Sequence, residues 1–172
     1  MKKTILIICM LLCCGMTYAQ FVYKYDKTLI ELTHADNSNC YIQIPSDGVG
    51  INHEILNTSF NLRKDCYIVQ FDQIPAIGSI EYLSYTYTDG EHFFIILPRI
   101  NVCTHHEDHV EEIANHYNLL LKKTGTNKYT LECPVANSDV VMHIVSELAY
   151  SDKVEWCEPE FFSNYSLSKK LF

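Results

Sequence analysis

The residues that could do chemistry crowd into one run, Cys103-Thr104-His105-His106-Glu107-Asp108-His109. On a helix of 3.6 residues per turn, His105, His109, Glu112 and His116 fall on one stripe, opposite Val110 and Ile113. Histidines at i and i+4 can hold zinc, and Glu112 and His116 extend the row. A solvent-facing stripe is also where polar side chains belong on any amphipathic helix. These four are therefore weak candidate ligands, and no metal is expected. His143 falls on a boundary or solvent-facing position of a second helical run. Support for catalysis is thinner still. There is no Gly-x-Ser-x-Gly turn, no Gly-rich phosphate loop and no His-Glu-x-x-His. Ser, His and Asp occur, but in no recognisable catalytic setting, so neither an enzyme nor a cofactor is expected.

The chain opens on Met1-Lys2-Lys3, an apolar run from Ile5 to Met16, and Thr17-Tyr18-Ala19. That order reads as a secretory signal peptide over 1–19, cut after Ala19, and the run is too short for a membrane helix. A lipoprotein would need a small residue before the modified Cys, where Leu12-Cys13-Cys14 offers Cys instead. Secretion or a periplasmic location is the expectation. Cleavage takes two of the 13 basic residues and leaves 11 against 21 acidic ones, a balance of −10. Such a surface argues against nucleic acid and anionic membranes and for a basic or dipole-positive partner. An apolar content of 48% is that of a folded chain, here a monomer when free. Of eight cysteines, Cys40, Cys66, Cys103, Cys133 and Cys157 remain. Their odd number leaves one thiol unpaired at least, and no C-x-x-C spacing suggests zinc or redox chemistry. Buried small hydrophobes, with room for one bridge, are the plainer reading.

The elements that position these groups come in two rhythms. Residues 20–92 read as a small antiparallel β region. Short β-branched and aromatic runs alternate with Asn, Asp, Ser, Gly and Pro clusters, and Thr88-Asp89-Gly90-Glu91 marks a hairpin. Over 93–162 the order becomes strand, helix, strand, strand, helix, strand. Thr104 and Glu107 suit a capping box for the first helix, and Asn137 or Ser138 caps the second. Val110, Ile113, Ala114 and Tyr117, then Val141, Ile144, Val145 and Leu148, form the apolar stripes. This is the β-α-β-β-α-β order of a ferredoxin-like α+β fold, with both helices on one face of a four-stranded sheet. Alternation turns Ile100, Val102, Tyr129, Leu131, Val154 and Trp156 toward the helices. It leaves Asn101, Cys103, Thr130, Glu132, Glu155 and Cys157 on an open face. The first and last strands would be neighbours, so Cys103 and Cys157 could bridge if their registers match.

The closing stretch carries a resemblance. Asn115-His116-Tyr117-Asn118, Tyr129-Thr130-Leu131, Glu147-Leu148 and Val154-Glu155-Trp156-Cys157-Glu158-Pro159 are similar to motifs in the propeptide (inhibitor) domain of secreted subtilisin-like serine proteases. The similarity spans roughly residues 94 to 162. The Tyr-rich segment from Phe21 onward also resembles the leader of such proteases in gut Bacteroides-type bacteria. Trp156, Cys157 and Glu160 depart from the Tyr, Ala and Asn of that pattern. A protease domain would follow in the family, so the expectation is either a free-standing inhibitor or an interrupted protease leader.

The resemblance implies a mechanism. The open face docks on two surface helices of a subtilisin-like protease, with Glu158 and Glu160 at their N-termini and Glu132 and Glu155 as further candidates. Pro159 enforces an extended exit, and the tail, with Phe161, Phe162 and Tyr165 as anchors, enters the substrate cleft as an added strand. Such a protein would act as an inhibitor, a folding chaperone, or both. The rival readings are an exported interaction module without a protease partner, and a metal-binding protein using the His stripe.

Overall fold

The computed structural model describes residues 20–35 and 39–163. Two sheets carry the fold. The first strands, β1 (Gln20–Tyr25) and β2 (Thr28–His34), form a hairpin whose two-residue turn holds Asp26 and Lys27 at φ 42° and 68°. Both central residues left-handed is the turn that matches strand twist. β2 passes to β7 (Thr86–Thr88), and β7 to the long β8 (Phe93–Thr104). Between them Asp89 Oδ1 accepts the backbone N–H groups of Glu91 (2.9 Å) and His92 (2.7 Å), and Gly90 takes φ 98°. The last strand, β11 (Val154–Ser163), pairs with β8 and, at Lys24–Cys157, with β1. Strands β1, β2, β7, β8 and β11 thereby close a five-stranded barrel. β10 (Lys128–Glu132) and β9 (Leu120–Gly125) extend the sheet beyond β8.

The second sheet has the order β4 (Phe60–Arg63), β5 (Cys66–Gln70), β3 (Asn39–Gln43), β6 (Tyr82–Ser84). Its period-2 alternation sends Tyr41, Cys66, Ile68 and Tyr82 into the main core. Cys40, Ile42 and Val69 go into a smaller cluster with Leu56 of α1 (His53–Thr58) and Ile77 of α2 (Ile74–Ile77). The two sheets meet where the Tyr82 hydroxyl donates to the Ile96 carbonyl (3.0 Å) and Phe162 packs on Tyr41 and under Arg63.

Two longer helices complete the main core. α3 (Glu107–Tyr117) buries Val110, Ile113 and Ala114, and α4 (Ser138–Ala149) buries Val141, Ile144, Val145 and Leu148, the expected stripes. α4 also buries Ser138, Met142 and Ala149, because β1, β8 and β11 all pack on it. Asn137 caps it by accepting from the Val140 N–H at 3.2 Å. Thr104 does not cap α3: it ends β8, its hydroxyl donates to the His106 carbonyl, and His106 is the N-cap without a side-chain bond.

The ferredoxin-like fold class is overturned. β8 does have β11 and β10 as antiparallel neighbours, and β10 has β9, with α3 and α4 in the connections. The sheet does not stop there. β7 also pairs with β8, and β1 pairs with β11, so strands from 20–92 curl it into the barrel. The result is a mostly β protein in which residues from both halves of the chain share one hydrophobic cluster. The physical reason is edge satisfaction: β8 is long enough for two partners along one edge. Pro98, which cannot donate to a ladder, stands between its β7-paired and β10-paired stretches.

Candidate functional site

Past Pro98, the face of the main sheet away from α4 stays open, and strand register arranges it in rows. Lys122 lies opposite Thr130, Thr130 opposite Asn101, and Asn101 opposite Glu158. The next row runs from Lys128 through Cys103 to Trp156, and on the other side Leu120 and Glu132 lead to Arg99. Asn101 and Thr130 are joined by a 3.0 Å side-chain hydrogen bond. Arg99 holds Glu160 at 3.2 Å. Lys122, Lys128 and Glu132 stand on the β9–β10 side, while Glu155, Glu158 and Glu160 follow one another along β11, so negative charge gathers on the last strand.

A bulge in β11 decides which groups it shows. Val154 lies opposite Thr104 and Trp156 opposite Cys103, with Glu155 the extra residue between them. Beyond it the alternation is inverted relative to the sequence reading. Cys157, expected on the open face, points to α4, where its thiol meets the Val145 carbonyl at 3.6 Å and is fully buried. Trp156, expected against the helices, is half-buried on the open side with Lys128 Nζ 6.0 Å above its ring. Glu155 reaches Cys103 Sγ (3.5 Å) and His105 Nδ1 (3.4 Å). Beside them a cleft of about 460 Å³ is lined by Lys24, Asp26, Lys27, His105, Glu155 and Trp156.

Glu158 is the most informative carboxylate. It is half-buried, and among the described residues no hydrogen bond or ion pair reaches it. Burial pushes its pKa above the ordinary carboxylate value. Its charge, after burial of the phenol itself, also helps raise Tyr23 to about 12. Glu132 is exposed on β10.

The expected anchors are placed differently. β11 runs on to Ser163 against β8, so Phe161 and Phe162 belong to the barrel wall. Phe161 packs on Phe94 (ring centroids 5.0 Å apart) and Tyr23 (6.4 Å), and Phe162 on Tyr41 (6.4 Å). They are spent on the core and cannot thread a cleft from there. Tyr165 and the rest of the expected tail beyond Ser163 lie outside the described residues, as does the stretch 1–19 expected to be a signal peptide.

The weak metal row is not assembled. Among the described residues no three of His, Cys, Asp and Glu converge to hold an ion. His105 precedes α3 and joins Glu155, Glu112 is tied to Lys153, and His116 lies edge-on to Tyr117. His109 Nδ1 is buried with no hydrogen-bond partner among the described residues, edge-on to His106. His143 is exposed and pairs with Glu147 at 3.3 Å. Cys103 and Cys157 face opposite sides one residue out of register, and all five described cysteines are free and buried. Desolvation raises the thiols of Cys40 and Cys157 to about 11 and that of Cys133 to about 12, which keeps them protonated and inert.

One cluster escaped the sequence reading. Asp139 Oδ1 takes a 2.9 Å contact from His34 Nε2 and a 2.6 Å bond from the Tyr87 hydroxyl. Ser138 Oγ lies 2.7 Å from that hydroxyl and accepts the Tyr85 N–H at 3.1 Å. A phenol has one proton, so Tyr87 donates to Asp139 and accepts from Ser138. Ser, His and Asp meet here, but Ser138 is fully buried and both its bonds are taken. The set pins the start of α4 to β2 and β7. Its members stand up to 105 residues apart, and no local spacing announces it. Among the described residues no helix is long and apolar enough to cross a membrane. Compared with known proteins, the chain matches no protein-family profile, no curated protein and no solved structure.

Proposed function

We propose that this chain is a non-catalytic exported binding protein and that the open face of its main sheet is the surface it presents to another protein. The observation that carries the reading is Glu158, a half-buried carboxylate with no partner among the described residues, at the β11 end of an otherwise ordered polar row. Leaving such a group unpaired is unfavourable, and an incoming donor, such as the free N–H groups of a helix N-terminus, relieves it. Trp156, turned outward beside it, is the residue type that most often anchors a protein interface. The buried, occupied Ser138 and the high-pKa thiols support a role without chemistry of its own.

The resemblance to subtilisin propeptides names the partner to test first. A subtilisin-like serine protease would be held by the face, with Glu155, Glu158 and Glu160 along one strand toward its helix termini. A second reading, a binding module without a protease partner, is favoured by the interior positions of Phe161 and Phe162, which leave the cleft-entering segment without its anchors. Binding to and inhibition of the secreted subtilisin-like proteases of the source organism separates the two. The expected result is micromolar or tighter binding that Trp156→Ala weakens about 30-fold, the scale of an interface hot spot. Absence of binding to all of them leaves the second reading. A partner of any class that binds Trp156→Ala and Glu155→Lys as well as the unaltered chain removes the face from consideration.

A further inference from the structure

β9 ends the main sheet, and its outer edge is bare. All six of its residues are exposed, with Leu120 at 62% and Leu121 at 40%. Its inner edge pairs with β10 from Leu120–Glu132 to Lys123–Tyr129. The alternate backbone N–H and C=O groups therefore point outward, and among the described residues no other element pairs with them. Soluble proteins ordinarily shorten, cover or charge such an edge, because it is a template for another strand.

The charges here are selective. Lys123 is held by Glu107 at 2.6 Å, whereas Lys122 has no ion pair among the described residues. We infer that the β9 edge accepts an added antiparallel strand from a partner protein, one whose sequence reads acidic, apolar, apolar in the chain direction. The acidic residue falls opposite Lys122 and the apolar pair opposite Leu121 and Leu120. A second copy of this chain is the poorer occupant. Leu120–Gly125 reads Leu-Leu-Lys-Lys-Thr-Gly and has no carboxylate to offer, and pairing would join two bodies of charge −8. At physiological salt the screening length is about 8 Å, so the lysines beside the edge outweigh the distant net charge for a short acidic segment. The inference rests on the protein-binding reading and gives it a docking mode, since Leu120 and Lys122 border the open face.

Fluorescence anisotropy with the full chain tests it, using the labelled peptide Thr-Ser-Glu-Val-Ile-Thr. Saturable binding is expected, lost when alternate peptide nitrogens are methylated. Replacing the peptide Glu by Lys weakens binding about 2- to 5-fold, the range of one cross-strand charge pair, and Lys122→Glu inverts that preference. Equal binding of the methylated and unmodified peptides overturns the inference, and so does no saturation up to about 1 mM. A dimer in sedimentation that Leu121→Lys returns to monomer also overturns it, because the occupant is then a second copy. A natural partner that requires Trp156 but ignores Lys122→Glu and Leu120→Lys overturns the edge and leaves the face intact. The reverse pattern upholds the edge and ends the face.

Discussion

β8 passes through two environments. From Phe94 to Leu97 it is buried on both sides, four apolar residues in a row, because Phe162 and the second sheet cover one face and the barrel the other. From Arg99 to Val102 it alternates, with Ile100 and Val102 fully buried and Arg99 and Asn101 part-exposed opposite them. One strand thus serves as core at one end and as display surface at the other. The difference follows from what lies across the second face, and burial there decides which residues are free to act on a partner.

The largest test of that contrast is a pair of alanines. Ile96→Ala in the sealed half should cost about 2–5 kcal/mol by urea unfolding, the price of a fully buried methyl-rich side chain. Asn101→Ala in the open half loses one half-exposed hydrogen bond and should cost about 1 kcal/mol or less. Equal costs would mean that the second half is not open. A smaller effect sharpens the role of Glu158. Its folded pKa is raised, so the folded state takes up this proton at a higher pH than the unfolded state. Its charge therefore lowers stability above the raised value, and that penalty disappears as pH falls through it toward the ordinary 4.5. Glu158→Gln should be the more stable protein at pH 7, with the advantage shrinking on acidification. A variant less stable at pH 7 would reveal a favourable partner for the carboxylate. The smallest effect belongs to Arg99 and Glu160, a part-exposed ion pair. Glu160→Ala should change stability by less than about 1 kcal/mol, and by less again in 1 M salt.

Much of the local structure was legible. The stripes of both long helices, the Asp89-Gly90 turn, and the inward set Ile100, Val102, Tyr129 and Leu131 follow from period and turn chemistry. The open face was half legible. Asn101, Thr130 and Glu132 fall where alternation puts them, while Trp156 and Cys157 exchange faces, because one extra residue in β11 shifts a period of two by half a cycle. Nothing in Lys153 to Cys157 marks that insertion.

By itself the sequence determined the two long helices, the strands around them and the Asp89-Gly90 turn, since helix stripes, the Asn137 cap and turn residues act within a few positions of one another. In contrast, α1 and α2 lie in a stretch that reads as β. Only the tertiary structure decided that β1 and β7 join β11 and β8 to close a barrel. It also decided that Phe161 and Phe162 become wall rather than tail, and that His34 finds Asp139. Those outcomes depend on which edges and faces remain unsatisfied after local structure has formed, a competition that joins groups 130 residues apart, as Lys24 and Val154 are, and that no short window contains.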